Sequence, residues 1–301
     1  MELGMIGLGR MGGNMAQRLI RGGHRVAGFV RNADALKEMA EKGIVPAATL
    51  EALVNELKAP RIIWLMIPAG AAVDETIATL LPLLSADDVI IDGGNSNYKD
   101  TQRRAQMLAA NRFHYIDAGT SGGVWGLENG YSIMVGGEEQ VVERLRPIFE
   151  TLAPAPDKGW GRVGPNGAGH FTKMIHNGIE YGMMQAYGEG FAVLHHKKEF
   201  NLNLHQIAEI WRDGSVVQSW LLDLTAAALA ENPGLEGIAP YVADSGEGRW
   251  TVAEAIDLNV AAPVITFALL QRLQSRDSEA FSNKLLSALR NQFGGHEMKK
   301  K

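Results

Sequence analysis

Leu3-Gly4-Met5-Ile6-Gly7-Leu8-Gly9-Arg10-Met11-Gly12-Gly13-Asn14-Met15 opens the chain with a short apolar run followed by glycines at 7, 9 and 12. Glycines at that spacing, directly after a strand-like run and directly before an amphipathic stretch, form the turn whose backbone cradles a pyrophosphate. Gly7 permits the tight turn, Gly9 lets the main chain approach the anion, and Gly12 lets helix and strand pack closely. The helix N-terminus then faces the negative charge. Gly7, Leu8, Gly9, Arg10, Met11 and Gly12 are therefore candidate dinucleotide contacts. A glycine turn in an unrelated α/β protein is the alternative that the motif alone leaves open.

Outward from this turn, short apolar runs alternate with amphipathic stretches. The pattern predicts strands at Leu3–Ile6, Arg25–Val30, Arg61–Ile67, Val89–Asp92, Phe113–Asp117 and Tyr131–Val135, with helices between them, among them Gly12–Arg21, Ala71–Leu84 and Lys99–Ala110. Strands alternating with helices indicate a doubly wound, mainly parallel sheet. Loops rich in Gly, Pro or Asn follow several strands: Met66-Ile67-Pro68-Ala69-Gly70, Asp92-Gly93-Gly94-Asn95-Ser96 and Ala118-Gly119-Thr120-Ser121-Gly122-Gly123. In such sheets ligands bind outside the carboxyl ends of the strands, where these loops fall. Met66, Ile67 and Asn95 join the cofactor candidates on that ground.

The segment Ala153–Gly167, with Pro154, Pro156, Pro165 and several glycines, reads as a boundary. Beyond it the pattern is helical: Ala168–Lys197, Leu204–Arg212, Val216–Ala230, Val252–Asp257, Ala262–Gln274 and Glu279–Phe293. The expected organisation is an α/β Rossmann domain over residues 1–163 and an all-α domain over residues 164–301. The tail Lys299-Lys300-Lys301 reads as a solvated end.

Composition narrows the function. A net charge of −5 argues against a nucleic-acid coat or a basic membrane surface, although a local arginine cluster for an anionic substrate is compatible with it. With no cysteine, disulfides, thiolate zinc sites and iron–sulfur clusters cannot form, and a cytoplasmic location is expected. The N-terminus enters a strand at once without a basic leader, and no apolar run reaches spanning length. No cluster of metal ligands stands out, so no metal is expected.

Two further stretches carry chemistry. At the end of the second strand an acidic residue would bond the ribose hydroxyls of NAD. Here Val30 holds that place, followed by Arg31 and Asn32. Arg31 can fork onto a 2′-phosphate or stack on adenine, which favours NADP and leaves NAD possible; a solvated arginine is the plainer alternative. In the long predicted helix, Lys173, Asn177 and Glu180 lie at offsets 0, 4 and 7 on one narrow face, with His176 at its edge. An amine, an amide and a carboxylate along one stripe suggest a catalytic wall. Surface charges beside an interior histidine are the alternative.

Gly164-x-x-Gly167-x-Gly169-x-x-x-Lys173 resembles the catalytic-lysine motif of the β-hydroxyacid dehydrogenase superfamily. Within it, Lys173-Met174-Ile175-His176-Asn177-Gly178-Ile179-Glu180-Tyr181-Gly182 is similar to the active-site helix of decarboxylating 6-phosphogluconate dehydrogenases. Asp92-Gly93-Gly94-Asn95-Ser96, Ser121-Gly122-Gly123, Asp244-Ser245-Gly246-Glu247-Gly248-Arg249-Trp250, and Arg290 with His296 around Phe293-Gly294 extend the resemblance along nearly the whole chain. It implies that Lys173 is the general base at the C3 hydroxyl, then the acid at the C3 carbonyl. Glu180 would protonate C1 of the enediol after CO2 leaves, giving ribulose 5-phosphate with reduction of NADP or NAD.

The same resemblance implies that Asn95, Ser121, Gly122, Gly123, His176, Asn177 and Tyr181 hold a small phosphorylated sugar acid. Arg249 stands where long family members carry a phosphate-binding lysine, and Arg276 is a second phosphate candidate. Arg290 and His296 match a tail that completes the partner subunit's site, which implies a homodimer or homotetramer. Two departures are visible: the chain is shorter than the long members, and Val30-Arg31 matches only part of the Asn-Arg-Thr set of NADP-specific ones. A 3-hydroxyisobutyrate-like dehydrogenase would share the glycine loop and Lys173, but not the His176–Glu180 helix or the arginines for a phosphate. A non-catalytic NADP-sensing protein would have no need of Lys173 and Glu180.

Overall fold

The computed structural model describes residues 1–299; Lys300 and Lys301, the end of the lysine tail, lie outside the described residues. Contacts divide the chain into a unit from Met1 to His176 and a second unit from Asn177 onward.

The first unit is built on strands β1 Glu2–Ile6, β2 Arg25–Phe29, β3 Val45–Pro46, β4 Ile62–Leu65, β5 Val89–Asp92, β6 His114–Ser121, β7 Ser132–Gly136 and β8 Trp160–Gly164. They form one sheet in the order β3-β2-β1-β4-β5-β6-β7-β8. Every neighbouring pair is parallel except β6–β7. The connecting helices are α1 Arg10–Arg21, α2 Ala33–Glu41, α3 Leu50–Asn55, α4 Ala71–Leu80, α5 Tyr98–Ala109, α6 Gly126–Asn129 and α7 Glu139–Leu152.

Side chains alternate across the strands with period two, so the central strands feed two separate cores. Leu3, Met5, Ile62, Trp64, Val89 and Ile91 enter one, with Leu145 and Phe149 of α7. Ile6, Ile63, Leu65 and Ile90 enter the other, with Leu53, Ile77 and Leu108. Burial on both faces is the reason these strands read as unbroken apolar runs.

Three departures from the expected elements concern the sheet; among the helices, α4 ends at Leu80 rather than Leu84, α10 begins at Trp220 rather than Val216, and α11 begins at Glu247 rather than Val252. β6 continues past Asp117 to Ser121 because β7 pairs antiparallel with that second half, from Asp117↔Gly136 to Ser121↔Ser132. β8 forms inside the segment read as a boundary, as an edge strand parallel to β7. Its Arg162 and Val163 are exposed, so no apolar alternation marks it. β3 is a two-residue edge that carries no pattern at all.

Helix α8, Ala168–His196, starts in the first unit and is the leading element of the second. The second unit continues with α9 Leu204–Arg212, α10 Trp220–Glu231, α11 Glu247–Asp257, α12 Pro263–Gln274 and α13 Phe281–Gly294. Its buried clusters are small: one on Phe191, Ala208, Leu222, Ala226 and Leu229, another on Tyr181, Ala268 and Leu269. Helix α13 buries none of its residues, and Phe281, Leu286 and Phe293 stand exposed on it. Among the described residues no helix is long and apolar enough to cross a membrane.

Candidate active site

The glycine turn joins β1 to α1. Gly7 sits at φ +95°, and a β-carbon there would lie 2.2 Å from the Met66 carbonyl oxygen at the end of β4. On Gly12 it would lie 2.0 Å from the Gly7 carbonyl oxygen. These two glycines are thus required by the protein's own packing. Gly9 is different, because a β-carbon there would meet nothing within 4 Å. Gly9 precedes α1, whose N-terminus carries no side-chain cap. Free amides and an open approach are what a bound pyrophosphate needs. A cleft of about 690 Å³ begins here and is lined by Gly7, Gly9, Val30, Arg31, Asn32, Met66, Ile67 and residues of α4 that include Glu75. The Asn32 side chain caps α2, accepting from the Ala35 amide at 2.9 Å. Arg31 is exposed at the cleft.

The loop after β5 presses on the loop after β4. A β-carbon on Gly93 would lie 2.3 Å from Trp64 Nε1, and one on Gly94 2.5 Å from the Ile67 carbonyl oxygen. Asn95 follows at φ +52°. Its side chain accepts from the Thr120 amide at 3.0 Å and donates to the Thr120 carbonyl at 3.3 Å, so it is tied to the end of β6. Beyond Thr120, Ser121 leads to Gly122 and Gly123, both at positive φ, and the space beside Gly123 is open.

The first turns of α8 rest flush on backbone. A β-carbon on Gly119 would lie 2.5 Å from Lys173 Cβ, and one on Gly169 2.5 Å from the Met134 carbonyl oxygen. Gly136 is equally confined, since a β-carbon there would lie 2.5 Å from Asp117 Oδ1 and 2.7 Å from the Gly169 amide nitrogen. Asp117, fully buried in β6, caps the helix by accepting from the Gly167 amide at 2.8 Å and the His170 amide at 2.9 Å. A carboxylate at a helix N-terminus is favourable both as a cap and against the helix dipole. This seat holds Lys173 at 5% exposure, with Nζ 3.3 Å from His176 Nδ1.

In the second unit, α8 carries Asn177, Glu180 and Tyr181 onward. Tyr181 is buried, and its hydroxyl accepts from the Ser245 amide at 3.2 Å. Gly178 and Gly248 let α11 close on α8, since β-carbons there would lie 2.6 Å from Thr251 Cγ2 and 2.3 Å from the Tyr181 ring. Arg249 and Arg276 converge on one carboxylate, Asp244, at 3.0 and 2.5 Å. Hydrogen bonding from Arg249, followed by that from Arg276, holds the Asp244 carboxyl below its ordinary range against the opposing effect of burial. Two guanidinium groups on one carboxylate leave a net positive charge suited to an anion.

Residues 2–161 match the family described as the NAD binding domain of 6-phosphogluconate dehydrogenase, and residues 169–301 match the C-terminal domain of 6-phosphogluconate dehydrogenase. The chain belongs to the 6-phosphogluconate dehydrogenase family. It is 44% identical over 302 residues to the NAD(+)-dependent decarboxylating 6-phosphogluconate dehydrogenase of Haloferax volcanii, covering 100% of this chain and 99% of that protein. The NADP(+)-dependent decarboxylating 6-phosphogluconate dehydrogenase of Bacillus subtilis is 38% identical over 293 residues, 92% of this chain and 62% of the relative. The solved Plasmodium falciparum 6-phosphogluconate dehydrogenase superposes at a TM-score of 0.85 with 29% identity, across 100% of this chain and 66% of that one.

For this member of the 6-phosphogluconate dehydrogenase family, the structure adds residues that sequence reading did not single out. Arg272 lies over the Tyr181 ring, 3.6 Å from its centroid, and donates to the Ala243 carbonyl. Its contact with Tyr181 is tertiary, so no local pattern marks it. Asp117 lies 50 and 53 residues before the amides it caps, so no local pattern could link them. Arg290 lies exposed on α13, and His296 beyond it meets Phe293 with ring centroids 6.3 Å apart. Neither joins the arginine group on Asp244.

Proposed function

We propose that this chain oxidises and decarboxylates 6-phospho-D-gluconate to D-ribulose 5-phosphate and CO2, with NADP, or alternatively NAD, as the hydride acceptor. The observation that carries the reading is the seat of Lys173, an amine buried to 5% exposure on a helix fixed by Asp117 and by three glycines that admit no side chain. A lysine held that rigidly costs the fold conformational freedom and desolvation, which a merely structural amine would not justify.

The residues present fit a dinucleotide: Gly9 leaves open the approach that a β-carbon would narrow, and the cleft beyond it is lined by Val30 and Arg31. When bound, the nicotinamide supplies the acceptor for the hydride that leaves C3. Lys173 takes the proton from the C3 hydroxyl. The resulting 3-keto acid loses CO2 while protonated Lys173 hydrogen-bonds the C3 carbonyl. Glu180 then delivers a proton to the carbon that carried the carboxylate. Lysine serves in turn as base and acid in this sequence, and the carboxylic acid as proton donor to carbon.

Asn95, Ser121, Gly122, Gly123, His176, Asn177 and Tyr181 hold the sugar acid in this reading. Arg249 and Arg276, with Arg272 beside them on Tyr181, meet the phosphate, for which forked guanidinium groups are suited. The absence of a carboxylate at position 30 and the presence of Arg31 support NADP. The active form is a homodimer or homotetramer in which Arg290 and His296 complete the partner's site; the exposed apolar residues of α13 support such an assembly. A cytoplasmic location follows from this substrate and cofactor rather than from any segment of the chain.

Steady-state kinetics on 6-phosphogluconate with each dinucleotide, against 3-hydroxyisobutyrate as control, test the reading. The expected result is one CO2 and one ribulose 5-phosphate per reduced dinucleotide, with 3-hydroxyisobutyrate inert. Turnover of 3-hydroxyisobutyrate in preference, or reduction without CO2, overturns it.

A further inference from the structure

Arg104 on α5 is fully buried, and its whole guanidinium group is engaged. Nε and Nη2 fork onto Asp74 of α4 at 2.9 and 3.0 Å, and Nη2 also reaches the Gly70 carbonyl at 3.0 Å. Nη1 donates to Ser96 Oγ at 3.3 Å and stands 3.5 Å from the Asp92 carboxylate. Asp92 is itself fully buried, accepting from Ser96 Oγ at 2.7 Å, the Tyr115 hydroxyl at 2.8 Å and the Gly94 amide at 3.0 Å.

These partners fall on two walls. Gly70 and Asp74 belong to the start of α4, which follows Met66 and Ile67 and lines the dinucleotide cleft. Ser96, Asp92 and Gly94 shape the loop that presents Asn95, whose amide is in turn locked to Thr120. The two walls touch directly where Gly94 meets the Ile67 carbonyl oxygen. One planar fork therefore sets their separation. A lysine ammonium could not satisfy both walls at once, because it lacks the divergent donors of a guanidinium group.

We propose that Arg104 is a positioning residue that couples the dinucleotide cleft to the Asn95 loop, so that cofactor and sugar acid are held at the reacting distance; this rests on the reading of the cleft and of Asn95 given above. It touches neither ligand. Its role is to keep the two loops at one spacing.

The test compares wild type, Arg104→Lys, and Val142→Ala, a core truncation in α7, by calorimetric dinucleotide affinity, steady-state kinetics and Tm. Arg104→Lys is expected to weaken dinucleotide binding about tenfold and to lower kcat/KM for 6-phosphogluconate about thirtyfold, since small misplacements are costly near reacting atoms. Val142→Ala is expected to lower Tm at least as much and to leave both constants within about threefold. Constants within about threefold in Arg104→Lys, or equal losses in Val142→Ala, overturn the proposal. If Arg104→Lys does not fold, Asp74→Asn weakens one wall of the fork and should shift both constants about fivefold; unchanged constants there overturn it. If the wild type does not turn over 6-phosphogluconate, the function reading fails separately. In that event weaker dinucleotide binding in Arg104→Lys still supports the coupling, and unchanged binding overturns it.

Discussion

Replacing Gly119 by alanine asks whether backbone contact sets the position of Lys173. The added β-carbon would lie 2.5 Å from Lys173 Cβ and 2.7 Å from the Gly169 carbonyl oxygen. Carbon atoms in contact sit about 3.5–4.0 Å apart, so β6 and α8 must separate by about 1 Å. Overpacking of this kind costs about 1–3 kcal/mol. The separation also stretches the bonds from the Gly167 and His170 amides to Asp117, now 2.8 and 2.9 Å. Bonds to a charged group contribute about 1.5–3 kcal/mol when well formed, so partial loss adds to the cost. A shift of about 1 Å at a reacting group lowers the rate about a hundredfold. We therefore expect Gly119→Ala to reduce kcat about a hundredfold and Tm by about 5–10 °C. Dinucleotide affinity should stay within about threefold, because Gly7, Gly9 and Gly12 lie in the turn after β1 and at the start of α1, not on β6 or α8. Stopped-flow or steady-state reduction of the dinucleotide, with calorimetric Tm, reads both quantities. A kcat within about threefold of wild type would refute the idea that this contact positions the lysine.

Val30→Asp adds a ribose acceptor and a charge against a 2′-phosphate, and should move the NADP-to-NAD ratio of kcat/KM toward NAD by about tenfold or more. An unchanged ratio removes position 30 from cofactor choice. His24, buried beside Thr151, has its pKa held below the ordinary histidine value of 6.5, chiefly by burial and next by the N-terminal ammonium. Its folded form favours the neutral ring, so its contribution is complete above pH 6.5 and is lost as pH falls through the lower folded value. His24→Gln should accordingly show a smaller fall in Tm between pH 7.5 and about pH 5 than wild type; parallel curves would count against this.

The sequence made the glycine turn, the central strands and the lysine helix legible for a shared reason: each is decided by local periodicity and by residues close together along the chain. Gly7, Gly9 and Gly12 follow directly on Ile6, and Lys173 to Glu180 span two turns of α8. β8 escaped because an edge strand with Arg162 and Val163 exposed has no apolar face to betray it. β3 escaped because two residues cannot show a period. In the site, Arg249 could be named from a motif and Arg276 only as a looser candidate, and their sharing of one carboxylate depends on tertiary packing. Asp117 and Arg104 were invisible for a different cause. Both are buried charges with partners well outside any local pattern, Gly167 and His170 for Asp117 and Asp74 and Gly70 for Arg104, and a lone Asp in a strand or Arg in a helix looks like any surface residue until the fold closes over it.

The central claim is that Lys173 performs the proton transfers of an oxidative decarboxylation. Release of CO2 from 6-phosphogluconate by Lys173→Met, with dinucleotide affinity measured on the same preparation, tests it most directly. CO2 release should be abolished, with affinity within about threefold of wild type. Wild-type-like CO2 release from the methionine variant would contradict it.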